Sequence, residues 1–322
     1  MAMRLSVMLA LAAGIICCDV SGLQAAKRPD RGLPKPQLEL RGNATSRAPV
    51  RWRPVSGASG YISYRGSKTT AGQTVMSFDL GWDRSPNMPW SKLTQADLFS
   101  LATEDGPGLD TSNLQGVNVA KWVAAAHAHH VQAMIAIGGS DDQKWQYACD
   151  KGNRAQFVLN LVSYAVTNGF DGIDIDIENA LWASQGPPSE QQTSCVEAIA
   201  AAAHAATSRA GKPLWLSEDV ITNWQGAWMA PYATRIDQFN LMTYGNDLAT
   251  LASDVRVTHS QGVPYSKMVV GIDVDDYGEP RRGCKPFSDY AKQHDLMGAF
   301  VWDAVSDHAK AANACVTALA SR

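Results

Sequence analysis

The sequence predicts a (β/α)8 barrel. Strand-length apolar runs alternate with helix-like segments across residues 58–322, those segments often close on glycine, and chemically unusual residues collect where the runs end. The runs are 75–80, 134–137, 172–178, 214–220, 239–244, 268–274 and 298–302, each rich in Ile, Val, Phe or Trp. Between them lie 118–130, 154–168, 189–210 and 248–260, rich in Ala, Leu, Gln and Lys; Gly169, Gly211 and Gly262 provide stops. Such alternation implies parallel strands joined by crossover helices, in a closed barrel or an open doubly wound sheet, and length favours the barrel. The opening unit is incomplete. If 61–65 is the first strand, too few residues separate it from 75–80 for a crossover helix. At the C-terminal ends of the runs stand Gly138, Gly139 and Ser140, then Asp176 and Glu178, then Tyr244 and Trp302. In a parallel barrel that end carries function.

With 322 residues, 45% hydrophobic and 18% charged, the chain has the composition of a globular protein. A formal net charge of −3 gives counterion release little to drive, so a nucleic-acid partner is not expected and a neutral substrate fits better. Met1 to Arg4 precede an apolar run over 5–17 and small or polar residues over 21–26, the pattern of a signal peptide at 1–25. The run falls short of the roughly 20 apolar residues a membrane span needs. A lipid anchor on Cys17 or Cys18 is the alternative, and Ile16 is a poor neighbour for it. The expectation is therefore a secreted monomer, extracellular or periplasmic, without a membrane partner. Residues 26–57, rich in Pro, Arg and Gly, read as a tether or disordered lead-in that includes the sequon Asn43-Ala44-Thr45. Residues 58–322 then form one domain. Export removes Cys17 and Cys18 and leaves Cys149, Cys195, Cys284 and Cys315, for which two bridges are expected. Three pairings are possible, and proximity favours Cys149 with Cys195 and Cys284 with Cys315. A zinc site is the alternative, without a C-x-x-C pair or a histidine at ligand spacing to support it.

The sharpest signal is Asp171-Gly172-Ile173-Asp174-Ile175-Asp176-Ile177-Glu178. Side chains alternate along a strand, so Asp174, Asp176 and Glu178 share one face and the three isoleucines the other. If the isoleucines pack beneath helices, the acids line the barrel interior. Buried carboxylates lose hydration and repel one another, and packing gives no reason for three in a row. A solvated edge strand would accommodate them but fits poorly between helix patterns. A calcium loop would need a glycine turn where isoleucines stand.

The stretch from Asp171 to Glu178 resembles the D-G-x-D-x-D-x-E signature of glycoside hydrolase family 18 chitinases. Ala136-Ile137-Gly138-Gly139 resembles the family's S-x-G-G strand, Met242-Thr243-Tyr244 its M-x-Y element, and Trp302 its platform tryptophan, in matching order. Two positions depart: Ala136 replaces the serine, and Gly245, followed by Asn246 and Asp247, replaces the aspartate after the tyrosine. The resemblance implies a chitinase that cleaves β-1,4 bonds between N-acetylglucosamine units without cofactor or metal. Its nucleophile is the substrate's own acetamide oxygen. By that resemblance Glu178 is the proton donor, Asp176 holds the acetamide N–H, Asp174 shares a proton with Asp176, and Tyr244 donates to the acetamide oxygen. Trp302, Met242, Gly138, Gly139 and Asp247 are expected to bind the sugar. An endo-β-N-acetylglucosaminidase, or a silent carbohydrate-binding member, is the competing reading. Asp171, on the other parity, is expected to be structural. Trp82, Trp90, Trp145, Trp182, Trp224 and Trp228 fall in expected loops, where each could stack on sugar or pack; His127, His129 and His130 read as solvated or packed helix residues.

Overall fold

Eight parallel strands close on themselves. In the computed structural model β1 (Thr74–Leu80) pairs with β2 (Gln95–Thr103) on one side and with β8 (Gly298–Trp302) on the other. Between these run β3 (Gln132–Gly138), β4 (Gly172–Asp176), β5 (Trp215–Val220), β6 (Gln238–Leu241) and β7 (Met268–Asp273), each beside its predecessor. The described residues are 9–11, 14–16, 73–83, 88–178, 186–222, 225–274, 280–303 and 309–321. The chain divides into two units, 1–70 and 71–322. In the first, only a short antiparallel pair, Leu9–Leu11 with Gly14–Ile16, is described. The rest of the expected signal peptide, the lead-in, its sequon and the run 61–65 lie outside the described residues.

The barrel therefore opens at β1, and its second strand is one the apolar pattern does not announce. β2 reads Gln-Ala-Asp-Leu-Phe-Ser-Leu-Ala-Thr, without a β-branched residue before Thr103 and with polar residues that local preference would place elsewhere. Its place is set by its two neighbours. Ala96, Leu98 and Leu101 join the outer core, while Gln95 and Asp97 stay buried as a hydrogen-bonded pair at 3.1 Å. The link from β1 carries a 3-10 turn, Trp90–Lys92, among its described residues.

Strand alternation builds two separate apolar layers. Ile173, Ile175 and Ile177 belong to the outer one, packed under helices α1 (Val119–Ala128), α3 (Arg154–Asn168) and α4 (Glu190–Ala205). Helix α3 follows the short α2 (Trp145–Ala148), buries Phe157, Val158, Leu161 and Ala165 along one face, and ends at Gly169, whose φ of 81° suits glycine. Met76, Phe78, Leu80, Phe99, Ala136, Val269 and Phe300 form the smaller layer inside the barrel. Asp171, on the outer parity, is structural as expected: its Oδ2 accepts from Ala133 N (3.0 Å) and is 2.9 Å from His127 Nε2. Asp237 repeats the device with Leu216 N (3.0 Å) and His204 Nε2 (2.8 Å).

The remaining described helices are α5 (Leu248–Ser260), α6 (Pro280–Gln293) and α7 (Ala309–Ala320). Disulfides join Cys149 to Cys195 and Cys284 to Cys315, the pairing that proximity favours, and so tie the end of α2 to α4 and α6 to α7. Titration of the unreduced, denatured protein should find no free thiol among these four, and reducing each bridge should cost about 2–4 kcal/mol in denaturant unfolding. Four titratable thiols would contradict both bridges.

Glu218 gives a second test. It points outward from β5 into the layer beneath α4, is 4% exposed, and its Oε2 has no hydrogen-bond donor among the described residues. Burial, with a smaller push from Asp174, lifts its pKa from 4.5 to about 8. The folded state therefore keeps a proton that the unfolded chain releases. This stabilisation is complete below the unfolded pKa and is lost as pH rises through about 8. Glu218→Gln should match the wild type in unfolding experiments at acidic pH and exceed it by a few kcal/mol, to order of magnitude, above pH 8. An equal offset at both pH values would mean that Glu218 does not change protonation on unfolding.

Candidate active site

At the C-terminal end of the barrel the inward parity of β4 brings Asp174 and Asp176 into the interior, 0% and 2% exposed, with Glu178 just past the strand and only partly buried. Glu178 lines a cleft of about 410 Å³ whose walls include Trp82, Phe99, Gly138, Gly139, Asp142 and Trp302. Burial raises its pKa, a hydrogen bond with Asp176 opposes the rise, and Asp141 adds to it. Asp176 is pushed well above the ordinary carboxylate range by burial, then by Glu178 and Asp174. Asp174 rises to about 6 through burial, held down by hydrogen bonds from Ser217 and Asp219.

The glycines explain how β3 meets this strand. Gly138 and Gly139 have φ of 115° and 109°, and Gly139 N donates to the Asp176 carbonyl at 3.0 Å. A Cβ on Gly138 would stand 1.8 Å from that carbonyl oxygen, and one on Gly139 2.8 Å from the Phe99 ring. Only glycine lets the chain pass this close over the acidic strand. Both residues also line the cleft.

Ala136 does leave β3 without a hydroxyl for Asp174, and β5 supplies one instead. In the parallel register Asp174 lies beside Ser217 and Asp176 beside Asp219. Ser217 Oγ donates to Asp174 Oδ1, and Asn240 Nδ2 donates to the same oxygen at 3.1 Å. The support comes from the neighbour on the other side of the acidic strand.

Tyr244 and Met242 lie just past β6, against the inner apolar layer. Tyr244 meets Phe300 edge-on at 6.0 Å, and burial followed by Asp219, Asp176, Glu178 and Asp273 raises its pKa, so its hydroxyl keeps its proton. Trp302 leans on Phe78 and Phe99 at 5.1 and 4.9 Å and presents a partly exposed face to the cleft. Glu178, Asp176, Asp174, Tyr244, Met242, Trp302, Gly138 and Gly139 are thus all found at this end of the barrel. Asp247 is at this end too, in the loop between β6 and α5, but is not among the residues that line the cleft. It is exposed and caps α5, its Oδ1 accepting from Thr250 N at 2.8 Å, so the cap satisfies the carboxylate that the sequence assigns to sugar binding.

Of the loop tryptophans, Trp82 is 55% exposed at the cleft, while Trp145 is fully buried and Trp90 packs edge-on against Trp122. Trp228 is 38% exposed and lines a separate small hollow beside Glu218. Trp182 and Trp224 lie outside the described residues.

Sequence reasoning misses Asp97, Asp219 and Asn240, which complete the buried polar interior. Asp97 and Asp219 are both held well above the usual carboxylate range, first by burial and then by Asp174. Asp219 is legible in principle, because it stands one residue before the end of the run 214–220, on the parity of Ser217. Among the described residues no cluster of His, Cys, Asp and Glu is arranged to hold a metal ion.

The comparisons agree with this geometry. A curated relative described as a chitinase-like effector of Moniliophthora perniciosa is 31% identical over 134 residues, which is 38% of this chain and 30% of the relative. The chain thus matches less than a third of that protein's length. Among solved structures, a chitinase from Rhizomucor miehei is 17% identical and superposes with a TM-score of 0.62, covering 77% of this chain and 99% of that one. A family 18 N-acetylglucosaminidase from Paenibacillus barengoltzii, also 17% identical, gives 0.63 over 77% and 99% of the two chains. A chitinase from Bacteroides thetaiotaomicron, 14% identical, gives 0.63 over 77% and 95%. These likenesses are of fold. Sequence membership comes from the model described as Glycosyl hydrolases family 18, which matches residues 94–283, from the start of β2 into α6 and across the acidic strand. With more than half of its length matched by that model, the chain belongs to glycosyl hydrolases family 18.

Proposed function

We propose that the protein is a secreted chitinase that hydrolyses β-1,4 bonds between N-acetylglucosamine units with retention, using the substrate's acetamide as nucleophile. The observation that carries this reading is Glu178: a carboxyl at the wall of an open cleft, raised by burial and hydrogen-bonded from behind by a second, deeper carboxyl. A general acid must hold its proton at the pH of turnover and still reach the leaving oxygen. Partial burial provides the first and the cleft the second.

Asp174 and Asp176 lie on β4, just before Glu178 in the chain, and are buried. That position suits charge stabilisation better than attack on a sugar ring. In this reading Asp176 accepts the acetamide N–H and balances the positive oxazolinium as it forms, while Tyr244, kept protonated, donates to the acetamide oxygen. Trp302 carries the apolar face of the ring, and Met242 and Tyr244 pack, as it does, against the inner apolar layer. Trp82 extends the aromatic wall. Two disulfides and the N-terminal apolar run support an exported protein, and no helix among the described residues is long and apolar enough to cross a membrane. A monomer needs no further surface for this chemistry.

The relative described as a chitinase-like effector favours a second reading, sugar binding without turnover. The presence of Glu178 supports catalysis instead. Glu178→Gln keeps the shape of the side chain and removes its proton, so it should still bind N-acetylglucosamine oligomers while hydrolysing unactivated ones about 10²- to 10⁴-fold more slowly. Fully deacetylated oligomers should survive the wild-type enzyme, and early products from acetylated ones should carry the β-anomer by proton NMR. Binding without hydrolysis by the wild type would select the second reading. Cleavage of deacetylated chains at a comparable rate would exclude the acetamide as nucleophile. Comparing colloidal chitin with a high-mannose glycoprotein separates chitinase from endo-β-N-acetylglucosaminidase action.

A further inference from the structure

Glu178 stands beyond the sheet ladder. β4 ends at Asp176, whose register partners are Gly138 on β3 and Asp219 on β5, so the proton donor lies two residues past the last paired position. What it inherits from the strand is the peptide joining Ile177 to Glu178, a planar unit whose carbonyl belongs to Ile177 and whose nitrogen belongs to Glu178. The Ile177 side chain is 2% exposed in the outer apolar layer, and the preceding carbonyl, that of Asp176, accepts from Gly139 N at 3.0 Å. The Ile177 carbonyl is the next point along the chain at which Glu178 can be fixed.

That carbonyl is held by a side chain far from the acidic run. Gln225 opens the 3-10 turn Gln225–Trp228 in the link from β5 to β6, and its Nε2 donates to Ile177 O at 2.7 Å across a separation of 48 residues. Its Oε1 accepts from Ile221 N, just past β5, at 2.6 Å. Both ends of the amide are used, and the partners fix its orientation, because an N–H needs the oxygen and a carbonyl needs the NH2 group. The turn itself is braced. Gln225 N donates to Ile221 O at 2.8 Å, and a Cβ on Gly226 would stand 2.8 Å from Thr258 Oγ1, so the turn packs directly on α5. The side chain of Gln225 is partly buried and bridges the exits of β4 and β5.

We propose that Gln225 is a positioning residue of the active site: it fixes the Ile177–Glu178 peptide where the strand no longer does, and so aims the Glu178 carboxyl at the leaving oxygen. This rests on the catalytic reading above. Gln225 is not among the residues that line the cleft, and it supplies no proton to the reaction, so it acts only through Glu178. Catalysis is sensitive to such placement, and a displacement of about 1 Å can cost about 10²-fold in rate.

Gln225→Ala removes both bonds, and Gln225→Glu keeps the acceptor for Ile221 N while its ionised carboxylate has no proton to give Ile177 O. In both variants kcat on unactivated N-acetylglucosamine oligomers should fall, by up to about 10²-fold, with KM little changed, because proton donation counts in the transition state and not in binding. The same oligomers carrying a nitrophenyl leaving group, which departs with little help from an acid, should lose far less. A role in packing alone lowers both rates together, and that result would overturn the proposal. So would a rise in KM with kcat intact. Crystal structures give a readout that needs no turnover: the wild type should show Gln225 bridging Ile177 O and Ile221 N, and Gln225→Ala should show a turned Ile177–Glu178 peptide. A wild type without that bridge would overturn the proposal even if neither variant folds, and so would an unmoved peptide in Gln225→Ala. Silence of the wild type on both substrates would reject the catalytic reading instead, with the structures still deciding whether Gln225 holds the peptide.

Discussion

Carboxyl groups buried together, with no Lys or Arg described among them, must take up protons or find hydrogen-bond donors, and much of the upper interior follows from that constraint. Asp97, Asp174, Asp176 and Asp219 are all nearly inaccessible, and none is described with a Lys or Arg partner. An isolated buried carboxylate is costly enough that such a group takes up a proton or finds donors. Here both happen. Ser217 and Asn240 supply donors to Asp174 and Gln95 supplies one to Asp97, while Asp174 Oδ2, Asp176 Oδ1 and Asp219 Oδ1 receive none among the described residues. The result is an interior reluctant to ionise, with Glu178 at its solvent edge.

The barrel makes this arrangement tolerable by separating its apolar layers. The outer layer, between strands and helices, is broad and continuous, and it holds the isoleucines of the acidic strand. The inner layer is small and built around Phe78, Phe99 and Phe300, leaving room above it for polar groups. Hydrophobic burial outside the barrel thereby offsets the unfavourable burial of acids inside it. Strand alternation assigns every residue to one layer or the other, which is how Ile175 and Asp176, chain neighbours, occupy opposite environments.

The two departures from the family pattern have different outcomes. At Ala136 the absent hydroxyl has a counterpart on the opposite neighbour of β4, since Ser217 and Ala136 both stand beside Asp174 in the sheet register and Ser217 Oγ bonds it. A parallel sheet offers each central residue two such neighbours, so one can compensate for the other. At Gly245 the carboxylate two residues on, Asp247, is committed to capping α5 and does not return to the site. The carboxyls that do stand near Tyr244 are Asp219, Asp176, Glu178 and Asp273, all from segments apart in sequence.

Much was determined by the sequence alone. Alternation of runs and helices gives the barrel, the parity of Asp174, Asp176 and Glu178 gives the inward acidic face, and proximity favours the two disulfides, because these depend on short-range periodicity and spacing. Tertiary structure decided the rest. The strand character of Gln95–Thr103 comes from the two strands it joins rather than from its own Ala, Leu and Gln, and its local pattern could not reveal it. The placing of Asp174 against Ser217 and Asn240, and of Asp219 beside Asp176, depends on the register between β4, β5 and β6. Register is a relation between segments some forty and sixty residues apart, set by how the whole barrel closes, and no local pattern carries it.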